Sequence, residues 1–126
     1  MSYIGTIIAE SLFDTSILGK INILSTKVEP VTEKHQTPWL KQWTLHKVEI
    51  PEGQAREVAQ KLSLFLDYSN KSAWYADFKN EKNHYIIFKD KIFLIGRQDR
   101  QGFEEAKAYG MSVGIPEHQV DFPKNM

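Results

Sequence analysis

The chain has 126 residues, 41% of them hydrophobic and 25% charged, which is the size and make-up of one globular domain rather than a disordered segment. Sixteen Lys and Arg balance sixteen Asp and Glu, and the zero net charge argues against a strongly basic nucleic-acid binder and against an acidic tail. No cysteine is present, which excludes disulfides, thiolate zinc sites and cysteine nucleophiles and fits a reducing compartment, so the cytoplasm is expected.

The N-terminal stretch has no basic lead, and Glu10 and Asp14 interrupt its apolar residues, so neither a leader nor a membrane span is expected. Residues 3–10 alternate loosely around Ile4, Ile7 and Ile8 and read as a strand or a short apolar lead-in. Residues 20–29 alternate better, with Ile21, Ile23 and Ser25 on one side and Leu24, Thr26 and Val28 on the other. Residues 30–38, between Pro30 and Pro38, read as a loop. In residues 42–50, Trp43, Leu45, Lys47 and Glu49 alternate with Thr44, His46, Val48 and Ile50, giving a third strand.

Pro51 then opens a helix, where its missing N–H costs nothing. From 54 to 68, Ala55, Val58, Ala59, Leu62, Phe65 and Leu66 recur at three- and four-residue spacing and form one apolar stripe. Turn-forming residues at 67–72 end it. Residues 74–79, 84–89 and 92–96 follow as an antiparallel meander with turns at 80–83 and 90–91. A two-residue turn at Asp90-Lys91 pairs Phe88 with Phe93 and Ile86 with Ile95 on one face, and Ile87 with Leu94 on the other. Both faces are then apolar, so something must cover the second one: the N-terminal strands or another copy of the chain. Asp99 suits the N-cap of a second helix over 100–113, with Gly110 or Gly114 at its end and Pro116 blocking continuation. Val120 and Phe122 in the tail are expected against the core. The order β-β-β-α-β-β-β-α predicts an α+β domain spanning 1–126, a single antiparallel sheet with two helices packed on one face. A ferredoxin-like sandwich is one version of it.

No strong catalytic signature emerges. Gly110-Met111-Ser112-Val113-Gly114 spells the G-x-S-x-G string of serine hydrolases, with His118 and Asp121 close behind. The string falls at a helix end before a proline, without the strand that a strained nucleophile turn needs, so helix termination explains its glycines better. His35, His46, His84 and His118 show no metal-ligand spacing, and neither metal nor cofactor is expected. Asp77 is the exception that needs a reason, because aspartate is depleted inside strands. One reading pairs it with a lysine across the sheet. The other makes it a polar anchor in a pocket, with Tyr75 and His84 beside it and with Lys79 and Arg97 supplying charge for an anionic group. Trp39, Trp43 and Trp74 are read chiefly as core, and Trp39, beside Pro38 in the loop, is the one placed at a partner contact. Six basic side chains (Lys79, Lys82, Lys89, Lys91, Arg97, Arg100) against three acidic ones (Glu81, Asp90, Asp99) give the meander a basic bias. It is read as solubilising edge and turn lysines, and contact with nucleic acid is not expected at zero net charge.

The strings IIAESL, ILSTKVE, HQTPWLKQWTLHKVEIP, WYADFKN, HYIIFKDKIF and EAKAYGMSVGIPEHQVDF together resemble a group of small proteins from bacteria and their mobile elements. The resemblance covers about residues 7–122. It implies a self-contained bacterial domain with no assigned activity and carries no catalytic residues over. Two readings follow. The first is a non-enzymatic binding or self-association module, a homo-oligomer with Trp39, Ile87 and Leu94 at the contact. The second is a small enzyme or small-ligand receptor with its site at Tyr75, Asp77, Lys79, His84 and Arg97.

Overall fold

A computed structural model describes residues 2–31, 40, 42–68 and 73–120. In chain order the strands and helices are β1 (Tyr3–Ile8), β2 (Asn22–Pro30), β3 (Gln42–Ile50), α1 (Ala55–Phe65), β4 (Ala76–Lys79), β5 (Asn83–Phe88), β6 (Lys91–Gly96) and α2 (Arg100–Ser112), with short 3-10 turns between them. The strands form one six-stranded sheet in the order β2-β3-β1-β4-β5-β6, every neighbouring pair antiparallel. This is an α+β fold on a single antiparallel sheet. It is not the ferredoxin-like version, which is built from βαββαβ units. No helix among the described residues is long and apolar enough to cross a membrane.

The two helices do not share a face, which corrects the expected one-sided packing. Strand β5 shows why. Its Tyr85 and Ile87 point to the side of α1, where they join Tyr3, Ile7, Val48, Ile50 and Phe78 under Val58, Ala59 and Leu62. Ile86 and Phe88 point the other way, into a second cluster with Ile95, Phe103, Ala106, Ile115 and Val120 beneath α2. Alternation therefore reads the two apolar faces correctly, and the chain's own helices cover both.

Local chemistry sets the boundaries. Asp99 caps α2, its Oδ1 accepting from the Gly102 amide at 3.0 Å. At the other end Gly114 takes a left-handed φ of 102°, and the Ser112 hydroxyl donates back to the Tyr109 carbonyl at 2.6 Å. The G-x-S-x-G string is thus a helix terminus. Helix α1 is shorter than its stripe suggests. Leu66 turns extended and bridges Leu12, while the Asp67 amide donates to the Ser11 carbonyl at 2.8 Å. The β5–β6 turn also sits one residue earlier than expected, at Lys89-Asp90, so that Phe88 faces Lys91, Ile87 faces Ile92 and Ile86 faces Phe93. Asp90 supplies the positive φ of 57°, which aspartate tolerates better than most residues.

Gly5 lies where β1 and β4 meet. A Cβ built there would come within 1.9 Å of the Asp77 carbonyl and 2.5 Å of the Phe78 Cα, so only glycine allows this pairing.

Candidate functional site

The two faces of the sheet are not equally covered. On the face of α2, that helix lies over β5 and β6 and leaves β1 and β3 open. The residues that point from β1, β3 and β4 to this side are Ile4, Thr6 and Ile8, Trp43, Leu45, Lys47 and Glu49, and Asp77 and Lys79, as the register requires. Between them and the turn after α2 lies a groove of about 310 Å³, lined by Thr6, Ile8, Trp43, Leu45, Ala73, Trp74, Tyr75, Asp77 and Gln119.

Its walls are held from behind. Trp43 and Trp74 are nearly buried, with ring centroids 5.1 Å apart, so they line the groove and serve the core at the same time. The Tyr75 hydroxyl donates to the Gln119 carbonyl at 2.6 Å, which fastens the segment after α2 to the groove wall. Burial, with the Asp77 carboxylate nearby adding to it, holds the Tyr75 phenol well above its ordinary pKa. Tyr75 therefore serves as a neutral strut.

Asp77 is the carboxylate in the lining. Its Oδ2 accepts from His84 Nε2 at 2.7 Å, so its partner is a histidine and not the lysine that one reading of the sequence gave it. The imidazole is almost fully buried, 5.4 Å from the Phe103 ring under α2. Asp77 keeps 28% of its side chain accessible. The pair thus has an inside and an outside: His84 fixes the orientation of the carboxylate, and Asp77 meets the groove.

The structure brings together Tyr75, Asp77 and His84, as the sequence suggested. It does not bring in the cations. Arg97 donates from Nη1 to the Asn80 carbonyl at 2.7 Å and from its backbone to the Lys82 carbonyl at 2.9 Å. Its charge clamps the β4–β5 turn instead of facing the groove. Lys79 is on the same face as Asp77 but outside the lining. Other cations of the basic stretch are also spent locally: Lys89 donates to the Leu64 carbonyl at 2.8 Å, and Lys91 stands over the Phe93 ring.

The expected partner contacts fare differently from one another. Ile87 is fully buried beneath α1 and cannot touch a partner, because the helix already occupies that face. Leu94 opposes Tyr85 on the edge strand β6 and is 56% exposed. Trp39 lies outside the described residues.

Sequence reasoning missed Thr6, Ile8, Leu45 and Gln119. The first three share the alternation phase of Asp77 across paired strands, a signal that needs the strand order to be read. Gln119 arrives from beyond α2 with no local signature. No family model, curated protein or solved structure matches the chain, so the site rests on its own geometry.

Proposed function

We propose that the chain is a non-enzymatic cytoplasmic binding module whose groove takes a small, largely apolar ligand. The observation that carries this reading is the convergence of Ile8, Leu45, Trp43 and Trp74 with a few placed polar groups, Thr6 and Asp77, on a part of the sheet that α2 leaves open. Mostly apolar walls with a small number of fixed polar groups are the usual make-up of a ligand site, and the volume is at the lower end of the usual range.

Native mass spectrometry of untagged protein, gently purified from cell extract, tests the proposal directly. A stoichiometric small adduct that disappears in Leu45→Arg, a variant filling the groove from its floor, is the expected result. No adduct, together with no response of the groove amides to millimolar indole in NMR spectra, overturns it. Asp77→Ala is a poor test, because it removes the carboxylate that the buried His84 imidazole bonds to and costs about 1–3 kcal/mol of stability by itself. Asp77→Asn keeps an acceptor for His84.

Self-association is a second reading, now resting on an edge rather than a face. Strand β2 is a nine-residue edge strand with Ile23, Leu24 and Val28 exposed. A bulge between Ile23 and Ser25, Lys27 and Pro30 are features that blunt such edges. Sedimentation velocity at high micromolar concentration decides it: a dimer lost on Leu24→Lys supports pairing through β2, and a monomer ends the reading.

A further inference from the structure

We infer that the ligand is an organic cation: an ammonium or amidinium group carried on a flat apolar body, with the charge on Asp77 and the body against Ile8 and Leu45. This rests on the groove being a ligand site and adds the chemical class that it selects. Three observations carry it. First, the formally charged side chain in the lining is the Asp77 carboxylate, and the arginine that could have reversed the charge is engaged with the Asn80 carbonyl. Second, the carboxylate is already oriented. His84 holds Oδ2 from the buried side, and Oδ1 has no hydrogen-bond partner among the described residues. An oxygen held in place beside apolar walls is a strong acceptor for a charged donor, since little reorganisation remains to oppose binding. Third, the lysines nearest by register leave it alone. Lys47 is opposite Thr6 and Lys79 is opposite Ile4, and neither forms an ion pair with Asp77. An anionic ligand would meet the Asp77 charge with no compensating cation in the lining. A neutral one would gain nothing from Oδ1 beyond an ordinary hydrogen bond.

Three probes of one shape and different charge form the test: tryptamine, 3-methylindole and indole-3-acetate, each titrated into the whole chain and followed by backbone amide shifts. Tryptamine should shift the amides of Thr6, Leu45 and Asp77 and bind about ten-fold more tightly than 3-methylindole, the size of one hydrogen bond to a charged group. Asp77→Asn should remove that preference, so that tryptamine binds no more tightly than 3-methylindole. If 3-methylindole or indole-3-acetate binds as tightly as tryptamine, the cation assignment is overturned while the groove remains a ligand site. If no probe moves these amides, both fall. The ranking on the unaltered protein decides the matter even if Asp77→Asn does not fold.

Discussion

Strands β5 and β2 belong to the same sheet and live in opposite surroundings. In β5 every residue after Asn83 is buried, because α1 covers one face and α2 the other. In β2 every residue but Glu29 is exposed. What holds β2 is its ladder with β3 and a few polar pairs, Asn22 to Glu49 at 3.2 Å and Thr26 to His46 at 2.8 Å. Backbone pairing alone thus extends the sheet outward, and side-chain burial decides which part of it is stable. The groove lies at the transition between these regimes, on strands fixed from one side by α1 and left open on the other.

The largest effect should come at the junction of the two halves. Gly5→Ala forces a Cβ onto the β4 backbone and should cost more than about 4 kcal/mol in urea unfolding. A loss below about 1 kcal/mol would mean that the β1–β4 seam can yield, and the contrast between the halves would no longer hang on one sheet. Next comes Ile87→Ala in the covered half, expected to lose about 2–5 kcal/mol because a fully buried side chain leaves a cavity behind.

Alkaline titration sharpens the contrast without any mutation. Burial raises the phenols of Tyr75 and Tyr85 and pushes Tyr68 up to about 12, from an ordinary value of 10.0. Above pH 10 the unfolded chain releases these protons and the folded one keeps them. The stability that is complete below pH 10 is therefore lost as the pH climbs toward 12. Phenolate absorbance should lag the free amino acid and then rise together with loss of the circular dichroism signal. Full ionisation near pH 10 with the fold intact would contradict the burial of Tyr68. Smallest of all is Val28→Ala in β2, where 53% of the residue faces water. Its cost should stay within about 0.5 kcal/mol, measured beside Ile87→Ala in the same denaturant series.

How much of this the residues announce depends on the distance over which each signal acts. The strands at 42–50 and 84–89, the stripe of α1 and the Asp99 cap are local patterns and read directly. The double apolar character of the meander reads as well, but period-two alternation says only that each face is covered and not by what. That information lies in the path of the chain after Gly96, which takes α2 across to the side opposite α1. Asp77 stood out because aspartate is out of place in a strand, and Tyr75 and His84 followed from its neighbourhood. Arg97 misled for a related reason: a formal charge in the sequence does not reveal that a backbone carbonyl has claimed it. The end of α1 at Phe65 was hidden because the competitor for Leu66 is Leu12, far back in the chain.

One consequence concerns the order in which the protein is made. β1 precedes the other five strands of the sheet yet sits inside it, paired to β3 through Tyr3 and Ile50 and to β4 through Ile4 and Lys79. On the ribosome its β3 edge can close as soon as Ile50 is free, while its β4 edge must wait for the segment beyond Ala76. Until then the nascent chain carries an open template strand in the middle of its future core, the kind of edge that recruits other chains. Synthesis that pauses before Ala76 exposes this protein to aggregation, and passage of β4 ends the exposure.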